Sequence, residues 1–112
     1  MVTPFFIRTE VKKERVLKKV DPMQVTRLTT IKNETKFYLG DDKFYSVRTS
    51  LVKALKNFPP LMFVKIDRAD AVSVFYIDEI AKDHLMMNGK TVSIARSYYK
   101  YVAAGINIIE EE

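Results

Sequence analysis

The sequence predicts a mostly β, antiparallel domain, and three observations carry that prediction. Asn88-Gly89-Lys90 lies between the apolar run 85–87 and the β-branched run 91–94. Asn-Gly in that setting is the strongest short-range hairpin signal. The Thr-, Val- and aromatic-rich stretches 25–31, 35–39 and 44–48 are separated by the polar turns Lys32-Asn33-Glu34 and Gly40-Asp41-Asp42-Lys43. Strand, turn, strand, turn, strand at this spacing reads as a meander. Strands do not alternate with long helical patterns, so a doubly wound parallel sheet is disfavoured.

Taken in order, the chain opens with the apolar run 5–7 after Pro4, followed by the basic stretch 11–20. Its charges, Lys12, Lys13, Arg15, Lys18 and Lys19, suit an exposed strand or sheet edge. A helix competes there, because Lys, Glu, Arg and Leu are helix formers. Asp21-Pro22 breaks the chain, and the meander follows. Ser50 is placed to cap a short helix over 51–56, with Leu51, Val52, Leu55 and Phe58 on one face and Pro59-Pro60 as its stop. The apolar runs 62–66 and 71–77 read as two strands around Asp67-Arg68-Ala69-Asp70. After the Asn-Gly hairpin, Ser97 is expected to cap a last helix over 98–104 that Gly105 ends. The total is about nine strands and two short helices, in one domain without repeats or linkers.

Composition narrows the function classes. A chain of 112 residues with 47% apolar content can bury a globular core. No apolar run approaches the ~18–20 residues of a membrane span, the N-terminus lacks a secretory pattern, and cysteine is absent. The reading is a cytoplasmic protein. Net charge is +5, and +8 over 109 residues without Glu110, Glu111 and Glu112, which read as a solvated tail. Such an excess favours a polyanionic partner. Catalytic chemistry lacks its residues. His84 is the single histidine, with no partner for a triad or a zinc site. Three glycines cannot form a phosphate-cradling loop. Asp67 and Asp70 have no further ligand to make a metal site. The thirteen aromatics mostly alternate with polar residues, as core-facing strand residues do. No enzyme and no cofactor is expected.

The segment Phe63-Val64-Lys65-Ile66-Asp67-Arg68-Ala69-Asp70-Ala71-Val72-Ser73 resembles the signature of LytTR DNA-binding domains of bacterial transcriptional regulators (the LytR/AlgR-like family). In that signature an aromatic and a basic residue precede a His-Arg-Ser-like triplet. Leu85-Met86-Met87-Asn88-Gly89-Lys90 through Ser97-Tyr98-Tyr99-Lys100 is similar to the family's closing hairpin and helix, Phe44 to Leu51 to its strand before the short helix, and Asp21 to Leu39 to its first recognition hairpin. The resemblance implies an elongated antiparallel β sandwich of about nine or ten strands with one or two short helices, spanning 5–102 and followed by a C-terminal tail, 103–112, with an acidic end. It implies binding of double-stranded promoter DNA at direct repeats, usually as a dimer, with loops in successive major grooves. Carried over by motif, base contacts fall at Asn33, Arg68 and Arg96, and phosphate contacts at Lys32, Lys65, Ser97 and Lys100. Arginine can donate two parallel bonds to guanine, and asparagine can do the same for adenine.

Bland readings stand beside these. Asn33 can simply form its turn, Arg68 can pair with Asp67 or Asp70, and Lys65 can lie on a solvated strand face. The sequence also departs from the family pattern. Asp67 stands in place of histidine, Ala69 and Asp70 in place of a serine and an aromatic, Ser73 in place of asparagine, and Ala95 in place of serine. Two carboxylates beside the central arginine would repel phosphates. The alternative function is therefore an interaction module of the same fold that has lost base reading. Too few residues remain for a receiver domain, so the expectation is a stand-alone regulator controlled by its expression or by a partner protein.

Overall fold

The computed structural model describes residues 2–40 and 42–111. It contains ten strands in three antiparallel sheets, with two short α-helices. β1 (Phe5–Val11) and β2 (Glu14–Val20) form a two-stranded hairpin, so the basic stretch 11–20 is not helix, and its strand starts only at Glu14, after a turn at Lys12 and Lys13. β3 (Arg27–Ile31), β4 (Glu34–Tyr38) and β5 (Phe44–Val47) form the expected meander. β6 (Phe63–Asp67) and β7 (Asp70–Ser73) extend it beside β3, giving the order β5-β4-β3-β7-β6. β8 (Ile77–Ile80), β9 (His84–Met87) and β10 (Lys90–Ser93) make the third sheet. The molecule is elongated, 57 × 31 × 25 Å.

Period-2 alternation distributes the side chains of the central sheet between two cores. Leu28, Phe37, Ala71 and half-buried Phe63 face the first core, under α1 (Leu51–Leu55) and the root of the hairpin. Phe5, Phe37, Phe58 and Phe63 pack there ring against ring, with centroids 4.5–6.3 Å apart. Val64, Ile66 and Val72 face the second core, under the third sheet and α2 (Tyr99–Ala104). β6 and β7 are thus covered on both sides, which is why neighbours such as Phe63 and Val64, or Ala71 and Val72, are both apolar.

Local chemistry explains most boundaries. Asp21 caps a 3-10 turn at Pro22–Gln24 by accepting the Met23 N–H. Ser50 Oγ accepts the Lys53 N–H at 3.2 Å, as a helix N-cap does. Asn88 and Gly89 both have positive φ, 49° and 76°, as a type I′ hairpin turn requires. Asp42 and Lys43 lie between β4 and β5, while Asp41 of the expected turn lies outside the described residues. Glu110 and Glu111 are exposed and irregular. Glu112 lies outside the described residues.

Two expectations need correction, and a third holds for a different reason. The run 71–77 is not one strand: Ser73 Oγ accepts the Phe75 N–H and turns the chain through a 3-10 segment, Val74–Tyr76, into another sheet. Ser73 alone interrupts the apolar run, and a single serine in such a run does not distinguish a turn from a strand. Ser97 does not cap the last helix. It lies inside a 3-10 turn, Arg96–Tyr98, and α2 starts without a side-chain cap. Gly105 does end α2, but with φ −91° rather than a left-handed conformation. Its requirement is space, because a Cβ there would stand 2.8 Å from Val64 Cγ1 and 3.2 Å from the Tyr101 carbonyl oxygen. Val64 is buried and β-branched, so it has little room to yield. Gly105→Ala is therefore expected to lower stability by about 1–3 kcal/mol, the usual cost of overpacking, read as a lower urea midpoint at unchanged slope.

Candidate nucleic-acid interface

The turn between β3 and β4, the turn between β6 and β7, and the end of β5 all lie at one end of the central sheet, because the strands between them are antiparallel. Lys32 and Asn33 form the first turn, at φ 49° and 67°, and both are exposed. The Thr30 N–H donates to the Ala69 carbonyl at 2.8 Å, binding this turn to the Arg68-Ala69 turn. A register shift between Lys65 and Asp67 makes Ile66 an extra residue in β6. A bulge takes a residue out of the ladder, and here the Ile66 carbonyl accepts the Ala95 N–H at 2.8 Å. That bond sets Arg96 beside the Arg68 turn. Across the sheet end the order is Arg48, Lys32-Asn33, Arg68, Arg96.

Beneath the first turn runs a line of hydroxyls. Thr35 is fully buried, its hydroxyl 2.6 Å from that of Thr30, and it donates to the Thr49 carbonyl at 2.8 Å. This ties β3, β4 and the segment after β5 together directly under Asn33.

The guanidinium groups of Arg68 and Arg96 are exposed and make no ion pair among the described residues. The expected partners of Arg68 are engaged elsewhere. Asp70 points to the second face of the sheet, where it accepts the Thr29 hydroxyl at 2.7 Å and Arg27 Nη2 at 3.3 Å. The Asp67 carboxylate accepts the backbone N–H of Arg68 and remains exposed. The Asn33 amide and the Ser97 hydroxyl, both exposed, have no hydrogen-bond partner among the described residues. Lys65 is half-buried, its Nζ 6.0 Å from the Tyr98 ring centre, and Lys100 Nζ stands 5.3 Å from the Tyr101 ring centre. Arg48 was not among the residues expected from sequence. As a single cation after a strand it carries no local signal, and only the pairing of Val47 with Thr35 brings it to this edge.

The family model of the LytTr DNA-binding domain matches residues 15–107. The chain belongs to the LytTR family. It is a DNA-binding domain of the kind that serves transcriptional regulation, a class of regulatory modules and not of enzymes. The fold of this LytTR domain is similar to that of the LytTr DNA-binding domain of a response regulator from Bacillus cereus, with a TM-score of 0.72 and 20% identity over 90% of this chain and 95% of that one. The comparison with curated proteins found no match. No helix among the described residues is long and apolar enough to cross a membrane. His84 of this LytTR domain sits 2.7 Å from the Asp83 carboxylate, and that hydrogen bond holds the Asp83 carboxyl below its usual range.

The hydroxyl line gives the edge its own stability test. Thr35→Val keeps shape but leaves the Thr49 carbonyl and the Thr30 hydroxyl without their buried partner. It is expected to cost about 1–3 kcal/mol, measured by chemical denaturation.

Proposed function

We propose that this LytTR domain is a sequence-specific regulator that reads base edges in the major groove of double-stranded promoter DNA through its turns. Arg68 and Arg96 donate paired hydrogen bonds to the O6 and N7 edge of guanine, and Asn33 recognises adenine. Lys32, Lys65, Ser97 and Lys100 bind phosphates, supplying affinity and register without sequence information. The target carries direct repeats that two copies occupy together, and a partner protein or expression level sets the activity.

The observation that supports this reading is the joining of three turns into one row by main-chain hydrogen bonds, with both guanidinium groups free of ion pairs among the described residues. The turn between β3 and β4 and the turn between β6 and β7 are two strand spacings apart, about 10 Å. That is close to the ~12 Å width of a major groove. The inward engagement of Asp70 removes one of the two carboxylates that would repel phosphates. Asp67, exposed in the middle of the row, is the one feature that favours a protein-binding module instead.

Selection of bound duplexes from a random-sequence library tests the proposal. Enrichment of a motif with a repeat spacing is the expected result. No enrichment, even at low salt, would leave the protein-binding module in its place. Substitutions sort the roles. Arg96→Ala should lose ~1–3 kcal/mol of discrimination at one base position. Lys100→Ala should weaken all duplexes alike and flatten the slope of log affinity against log salt by about one.

A further inference from the structure

We propose that the β1–β2 hairpin is an arm that grips the phosphate backbone of DNA outside the segment read by the turns. The inference rests on the DNA-binding reading above and adds a second surface to it. Residues 5–20 hold six Lys and Arg against Glu10 and Glu14, so +4 of the chain's +5 belongs to this one hairpin. Residues 21–109 also carry +4, but spread over 89 residues, and the three glutamates of the C-terminal tail offset most of it. Long-range attraction to a polyanion follows the charge distribution, so in this protein it is concentrated at the arm.

The hairpin is also built to reach. Within it only Ile7 and Val20 are buried, and its root is Phe5, packed on Phe37 and Phe58. Beyond that root every Lys and Arg is exposed. Arg8, Arg15 and Lys19 share one face by the period-2 rule, beside exposed Phe6 and Leu17. The match to the family model begins at Arg15, so β1 and the hairpin tip precede the matched segment.

The tip carries the argument furthest. Lys12 and Lys13 have φ 51° and 67°. A two-residue turn of this kind favours Asn-Gly, and the β9–β10 hairpin of the same chain uses that pair. Lysine is strained in the left-handed region. Two adjacent lysines there are a poor choice for the turn itself, and strain at such a place points to a role in function. They put two ammonium groups at the furthest point of the arm.

The double substitution Lys12→Asn, Lys13→Gly separates the two roles, because it improves the turn while removing both charges. In the full chain it is expected to raise Tm by a few degrees. Affinity for a 30-base-pair duplex should fall by tenfold to about 60-fold at 0.1 M salt, and the log–log salt slope should flatten by about 1.8, at roughly 0.9 for each lost phosphate contact. The ratio of affinities for selected and random sequence should stay the same. The native chain should also bind the longer duplex more tightly than one trimmed to the selected motif, and the variant should lose that gain. An unchanged slope, with the native chain still binding its motif, overturns the arm and leaves the reading turns standing. A native chain that binds no duplex overturns both. A fall in Tm would show that the lysines serve the turn and defeat the argument. Binding of the native chain to vesicles of anionic lipid, lost in the variant while DNA affinity holds, would assign the arm to a membrane surface instead.

Discussion

Two main-chain hydrogen bonds, one on each side of the β6–β7 turn, fix where the candidate side chains stand. Thr30 N–H to the Ala69 carbonyl joins that turn to the Asn33 hairpin, and Ala95 N–H to the Ile66 carbonyl joins it to the start of the last helical turns. The second bond exists because the bulge at Ile66 takes one carbonyl out of the ladder. Neither bond involves a side chain. Turn residues can therefore change without moving the scaffold, which accounts for a fold that keeps the LytTR pattern while the central triplet departs from it at Asp67 and Ala69.

The position of Asp70 shows how topology can reverse a charge argument made along the chain. Read linearly, Asp67 and Asp70 bracket Arg68 and should compete for it. In the sheet, Asp70 pairs across to Thr29 and lies on the same face as Arg27, two residues further along β3. Its carboxylate is engaged by both side chains, and Arg68 is left to solvent. Such a half-exposed ion pair contributes little to stability. Its larger effect is to keep a negative charge away from the sheet end.

What the sequence made legible was the local chemistry. Asn88-Gly89, the Ser50 cap and the meander at 25–48 all depend on residues within a few positions of one another, and all formed as expected. The helical alternative at 11–20 was open because that stretch satisfies both patterns and tertiary packing decides between them. The 3-10 turn at Val74–Tyr76 was masked by the apolar residues on either side of Ser73, whereas the end of α2 at Gly105 was expected and only its reason, the closeness of Val64 forty-one residues away in sequence, was not visible. The contribution of Arg48 to the row was likewise invisible, since only the register of β5 on β4 reveals it. The resemblance to the LytTR family supplied the candidate positions. Their alignment along one sheet end is a property of strand order, which no local pattern encodes.

The N-terminal hairpin belongs to neither of the larger sheets, so β1 and β2 each keep an outer row of main-chain donors and acceptors that no other strand among the described residues pairs. Open edges of this kind invite a neighbouring molecule to add a strand, and charged side chains, lysine above all, are a common safeguard. The cations along β2 and at the tip thus also keep separate copies apart in concentrated solution. An anionic surface that neutralised them would lift that protection where it gathers the molecules together, so that crowding on a polyanion and sheet-to-sheet association become coupled events.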